Sequence, residues 1–284
     1  MRNIHQYNSK IQGDKKMNEK IDLRAVSETM LIPLYARTRE SKKKNPEFID
    51  TTALHIMENI DYDFEKRFRE STNKMNFWGC CARTVILDRK SKEFIDENPD
   101  CTVIHLACGL DDRFSRVDNG KLKWYNIDFE EVITLREKLI DKHERVRNIT
   151  SSAMDFRWID EIEDKENVLV IAEGFLMYLE ENEAKRLFDE IAEKFKKVEL
   201  LIELMAKWMV KNQKVHDTTR TTGAVFKWGV DDSKDFEKLC PRYNLLADYN
   251  LTDKMKDYSP IFIRLIAPFL RSRNNRIAVF EKVD

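Results

Sequence analysis

The chain has 284 residues, enough for one large α/β domain or two small ones. Its 50 basic residues balance 51 acidic ones, which excludes the global positive field that draws in nucleic acid or an anionic membrane. The apolar share of 42% can fill a sizeable core, and five cysteines without C-x-x-C spacing point away from a disulfide framework, toward a reducing, cytoplasmic setting.

Residues 1–20 are polar, hold no signal-peptide apolar region and read as a flexible N-terminus. From Asp22 to Thr38 the apolar Val26, Met30, Leu31 and Leu34 fall near helical spacing. Asp50 is placed to cap a second helix carrying Leu54, Met57 and Ile60, and a third runs from about Asn76 to Glu97, with Pro99 beyond it. Residues 21–100 thus form a helical preface. Val103 to Leu106 is the first strand, and Lys123 to Asp128 the second. A helix follows from Glu130 to His143, then a weak third strand, Arg147 to Thr150. Val168 to Ala172 is a strong fourth strand, a helix covers about Glu180 to Lys197, and Glu199 to Met205 is the fifth strand.

This alternation implies an α/β fold with a doubly wound, mostly parallel, Rossmann-like sheet, its nucleoside-binding core at residues 101–206. Residues 207–232 carry Trp208, His216, the Thr-rich run Thr218 to Thr222 and Trp228. That is long for a connection, and it reads as a lid. A closing helix at Asp235 to Leu239 and strands at Tyr243 to Tyr249 and Arg276 to Glu281 complete residues 233–284, within a single domain over 21–284. The apolar stretch Ile261 to Leu270 is interrupted by Arg264 and Pro268 and is too short to span a bilayer, so no membrane partner is expected.

Ligands of open α/β sheets bind beyond the carboxyl ends of the strands. Here the first strand ends on Ala107-Cys108-Gly109, small residues that let backbone approach a ligand. Asp128 follows Gly109 by about 20 residues, the spacing that sets a carboxylate on a ribose diol. Asp155 and Glu173-Gly174 mark the next two strand ends, so three acids and a glycine turn line one edge. The turn has one glycine, not G-x-G-x-x-G, and Asp111 and Asp112 beside it would repel a pyrophosphate while tolerating a cationic ligand such as S-adenosylmethionine. A nicotinamide-dependent oxidoreductase is therefore disfavoured. On this reading Asp128 takes the ribose hydroxyls, Asp155 the adenine amino group and Glu173 the methionine ammonium or its surroundings. Arg83 could meet the same edge or pair on its helix with Asp88. His105 reads as a satisfied core histidine.

The run Val103 to Arg113 resembles the "V-x-L-G-A-G-L-D-T-R" signature of the leucine carboxyl methyltransferase family, which includes polyketide-type carboxylate O-methyltransferases. Ser27 to Arg37, Ala82-Arg83-Thr84 with Asp88, Trp124 to Val132, Glu173 to Leu179 and Phe226 to Gly229 are similar to further segments of that family. The resemblance implies an S-adenosylmethionine-dependent methyltransferase. Carried onto matching positions, it implies cofactor binding by Arg83 (to the carboxylate), Ala107 and Gly109 of the turn, Asp128 and Phe129, Asp155 and Phe156, and Glu173 and Gly174. Tyr178 would sit beside the transferred methyl group. Three residues depart from the pattern: Ala107 stands in place of glycine, Asp112 of threonine and Glu130 of proline. Alanine fits at position 107 if the backbone there has negative φ.

Methyl transfer needs positioning more than covalent help, and a carboxylate acceptor is already ionised at neutral pH. Tyr35 and Arg37 are candidates to hold such an anionic small molecule. His216 would serve as a base only for a hydroxyl acceptor. A protein C-terminus as acceptor and a non-catalytic cofactor-binding module are the remaining readings.

Overall fold

Five parallel strands form the middle of the computed structural model, which describes residues 28–68, 74–215 and 224–283. They are β1 (Thr102–Leu106), β2 (Lys123–Asp128), β3 (Val146–Thr150), β4 (Asn167–Ala172) and β5 (Lys197–Leu204). A hairpin of β6 (Tyr243–Asn250) and β7 (Arg276–Lys282) closes the sheet, with β7 inserted antiparallel to β5 and the order β3-β2-β1-β4-β5-β7-β6. The apolar residues of β1 and β4 are buried along both strands because helices cover both faces. The edge strand β6 alternates buried and more exposed residues instead.

The preface contains α1 (Leu31–Ser41), α2 (Thr51–Asn59), α3 (Phe64–Phe68) and α4 (Lys74–Glu97). After β1 come α5 (Arg113–Val117), then α6 (Glu130–Leu139), α7 (Glu181–Lys194), α8 (Lys207–Lys211), α9 (Ser233–Leu239), α10 (Leu251–Met255) and α11 (Ile261–Leu270). One face of the sheet packs Ile104, Leu106, Val170 and Leu200 against Trp158, Phe188 and Phe236. The other packs Val103, Leu169 and Leu201 against Ile86 and Leu87 of α4. A third cluster joins Leu34 and Tyr35 to Ile56, Phe68 and Leu135, docking the preface beside α6. No described helix is long and apolar enough to cross a membrane.

Most expected elements fall within a few residues of their predicted limits, and the departures have physical causes. α3 went unforeseen because five residues with a charged middle carry no readable periodicity; tertiary stacking of Phe64 and Phe68 on Tyr35, at 6.1 and 5.8 Å, holds it. Asp50 does cap α2, accepting a 2.8 Å bond from the Ala53 amide, but the buried face is Ala53, Ile56 and Ile60. α6 stops at Leu139, where Ile140 turns extended. The flexible stretch expected at 1–20, together with Val26, lies outside the described residues.

The segment read as a lid is pinned where it is described. Val230 donates to Met205 O at 2.8 Å and Lys207 to Val230 O at 3.1 Å, while the Gln213 side chain clasps the Phe226 backbone through two bonds. Trp228 is buried and donates to Glu181 at 3.1 Å, so the second flanking tryptophan belongs to the core. Thr218 to Thr222 and His216 lie outside the described residues.

Candidate active site

The order of the sheet reverses between β1 and β4, and a cavity of about 820 Å³ opens at the strand ends there. That volume is toward the top of the roughly 300–1,000 Å³ typical of ligand sites. Ala107 to Asp111 after β1, Asp128 and Phe129 after β2, Ser151 to Met154 after β3, Glu173 to Phe175 after β4, and Glu203 and Met205 around the end of β5 all line it. The preface closes the top with Thr29, Met30, Ile32 and Pro33.

The β1 turn is held by its backbone. Gly109 has φ +52° and its amide donates to Asp128 Oδ2 at 2.8 Å, while the Phe129 amide donates to Asp128 Oδ1 at 2.8 Å. Burial raises the Asp128 pKa, and those two amides oppose the rise. A carboxylate fixed this way can still accept from a ribose diol. Phe129, 56% exposed, lines the cavity beside Asp128.

Ala107 corrects one expectation: its φ is +48°, not negative. Left-handed backbone costs an L-residue about 1–2 kcal/mol, and glycine avoids this at an entropic cost of roughly 0.5–1 kcal/mol. Ala107→Gly is therefore expected to raise stability by about 0.5–1 kcal/mol. Urea unfolding would measure it, and no gain would mean that the turn absorbs the strain.

Beneath the turn lies an ion network. Glu173 bridges Arg83 and Arg113 at 2.7 Å each, and Arg83 also reaches Glu203 at 2.8 Å. Arg113 continues to Asp88 at 2.7 Å and Asp111 at 2.9 Å. Arg116 joins Asp50, Asp88 and Asp111 at 2.9, 2.6 and 3.0 Å, and Arg37 joins Asp50 at 2.7 Å. Burial pushes the Glu173 carboxyl up, but Arg83 and Arg113 outweigh it and hold it at about 2. Asp111 is likewise held well below the carboxylate range by Arg113, Arg116 and Arg37 despite its burial. Among the described residues lining the cavity, Arg37, Arg83 and Arg273 face Asp111, Asp128, Glu131, Glu173 and Glu203, a negative excess that suits a cationic ligand.

Several expected roles change in this setting. Asp111 does not repel anions as a bare charge, because its arginines neutralise it. Asp112 does not line the cavity and takes a 2.7 Å bond from Thr52, while Glu130 heads α6, where a carboxylate favours the helix dipole. Asp88 pairs with Arg113 and Arg116, not with Arg83. Tyr35 is not brought to the cavity; its hydroxyl donates to Glu65 at 2.7 Å within the preface core. Arg37 lines the cavity, but Asp50 and the Leu110 carbonyl take its donors and only 2% of it is exposed. Asp155 and Phe156 are outside the lining too: Asp155 pairs with Arg157, and Phe156 lies under Arg186 at 5.0 Å. Ser151 to Met154 face the cavity in their place. Arg83, Ala107, Gly109, Asp128, Phe129, Glu173, Gly174 and Tyr178 are all brought together.

Glu203 was missed, although an acid near the end of the apolar run Leu200 to Leu204 was a visible signal. His105 was expected to be satisfied. It is buried, but it lines the cavity and its Nδ1 has no hydrogen-bond partner among the described residues. Burial lowers its pKa to about 3. The unfolded chain therefore takes this proton near pH 6.5 and the fold only near 3, so acid favours unfolding between those values. Glu199 opposes this: burial raises it to about 7, so acid favours folding from there down to about 4.5. Against wild type, His105→Gln is expected to gain about 1.4 kcal/mol per pH unit below 6.5. Urea midpoints of both proteins across pH 4–7 isolate the difference, and a pH-independent one would exclude a neutral buried His105.

Tyr178 lies on the cavity wall against Phe226, ring centroids 5.7 Å apart, and burial raises its pKa to about 12. At neutral pH it is a phenol.

The family described as leucine carboxyl methyltransferase matches residues 31–192. The tetracenomycin polyketide synthesis O-methyltransferase TcmP of Streptomyces glaucescens is 31% identical over 248 residues, which cover 86% of this chain and 91% of that protein. The S-adenosyl-L-methionine-dependent methyltransferase dpfgK of Gibberella zeae is 27% identical over 256 residues, 81% of this chain and 86% of that one. Among solved structures, a putative methyltransferase from Thermobifida fusca aligns with TM-score 0.55 and 14% identity over 88% of this chain and 94% of its own. The magnesium protoporphyrin IX methyltransferase of Synechocystis aligns with TM-score 0.50 and 12% identity over 82% of this chain and 100% of its own. At such identities the structural likeness concerns the fold.

Proposed function

Because the chain belongs to the leucine carboxyl methyltransferase family and is an S-adenosylmethionine-dependent methyltransferase, we propose that it methylates the carboxylate of a small apolar molecule to a methyl ester. The cofactor supplies an electrophilic methyl group on a sulfonium. Asp128 would hold its ribose, Phe129 its base and Arg83 its carboxylate, while the negative excess around Glu173 and Glu203 complements its positive charges. An acceptor carboxylate oxygen forms the new C–O bond as the S–C bond breaks, and no proton moves. The chain's task is then to align the two in a dry chamber.

The observation that carries this reading is the state of the two cavity residues best suited to move a proton. His105, at about 3, and Tyr178, at about 12, are both held far from neutrality. A phenol or alcohol acceptor needs a base poised near the working pH, whereas a carboxylate does not. The five cysteines are free thiols, which suits a cytoplasmic reaction.

Labelled S-adenosylmethionine incubated with the enzyme and an acid extract of small molecules tests the reading. The labelled product is expected to release its methyl group as methanol in mild base, and the rate to stay nearly flat from about pH 6 upward. A base-stable product would move the assignment to a hydroxyl, with His216 then the base to examine.

A further inference from the structure

Among the described residues, three arginines line the cavity: Arg37, Arg83 and Arg273. Arg37 is committed to Asp50, and Arg83 to Glu173 and Glu203 through Nε and Nη1, its remaining edge being the one proposed above for the cofactor's carboxylate. Arg273 differs, since among the described residues no carboxylate stands within ion-pair distance of it. Its guanidinium instead lies over the ring of Trp208, 5.2 Å from the centroid. A cation–π contact engages the charge of a guanidinium and leaves N–H groups available, in the fork that fits a carboxylate.

The base of this side chain is fixed. Asn274 donates to Thr252 Oγ1 at 2.9 Å and Asn275 to Glu203 Oε1 at 2.8 Å, tying the turn before β7 to α10 and to the end of β5. The cavity lining also includes Met177, Met205, Met209, Phe226, Met255 and Leu270. Thioethers and an aromatic ring adapt to a flat apolar body.

We propose that Arg273, lying over Trp208, is the anchor for the acceptor's carboxylate, with the acceptor's apolar body seated among these methionines. The assignment rests on the carboxylate reading above and names the residue that recognises that group. It is separable from the chemistry, because charge recognition can be read without turnover.

Anthracene-2-carboxylate and its neutral carboxamide serve as fluorescent probes on the full chain saturated with S-adenosylhomocysteine. Wild type should bind the carboxylate about tenfold more tightly than the carboxamide. Arg273→Met should erase that preference while leaving carboxamide binding unchanged, and Arg273→Lys should keep part of it. An unchanged preference in Arg273→Met, an equal loss for both probes, or failure of the carboxylate to bind wild type would each overturn the anchor. If Arg273→Met forms the ester with unaltered KM, the anchor falls and the ester reading stands. If the preference tracks Arg273 while the product is base-stable, the anchor stands and the ester reading falls.

Discussion

Arg113→Met is expected to destabilise the protein by about 3–5 kcal/mol, the usual cost of removing one partner from a buried ion pair. The side chain is 0% exposed and touches Asp88, Asp111 and Glu173, so its loss removes one partner from three carboxylates at once, leaving Glu173 to Arg83 and the other two to Arg116. The pH dependence carries the diagnosis. In wild type Glu173 is held near 2, so its contribution is fully present above about pH 4.5 and is lost as pH falls toward 2. In the variant Glu173 and Asp111 take up protons more readily, so the deficit should be smaller at pH 3 than at pH 7. Urea unfolding at both values measures this; a loss below about 1 kcal/mol would show the network to be dispensable, and a pH-independent loss would show that Arg113 does not hold these carboxyls low.

The second large effect is expected at Asp128. Asp128→Ala should weaken S-adenosylhomocysteine binding at least tenfold, since charge-assisted hydrogen bonds to a ribose diol contribute on the order of 1.5–3 kcal/mol. The substitution also leaves the Gly109 and Phe129 amides without their acceptor, so the turn itself loosens. Asp128→Asn keeps one acceptor oxygen and should fall between the two. Calorimetry on folded variants decides the matter, and unchanged affinity would remove Asp128 from the site.

The sheet was readable because short apolar runs ending on turn residues carry the signature of buried parallel strands. Strand ends then located most of the cavity wall, down to Gly109, Asp128 and Glu173. What stayed hidden was direction and partnership. Asp155 was placed at a strand end, yet β3 stops at Thr150; Asp155 caps the short helix that follows, and Arg157, two residues on, takes its carboxylate out of the cavity. Asp111 and Asp112 look alike in sequence, but three arginines from α1 and α5 bury one while Thr52 holds the other. Arg37 is paired with Asp50, a residue identified only as a helix cap. Spacing places a residue on an element. Long-range pairing decides what its side chain is free to do.

The cavity is walled by residues from both ends of the fold, Met30 in the preface and Asn275 just before the last strand. A molecule seated there touches both and acts as a reversible cross-link around a loop of nearly the whole described chain. Loop-closure entropy grows only slowly with length, so such a clasp gains little from its span as such. Its larger effect is on cooperativity: partial opening that peels the preface from the sheet must first release the ligand, and that route is suppressed in proportion to occupancy. The bound molecule joins preface and sheet into one unit that opens together.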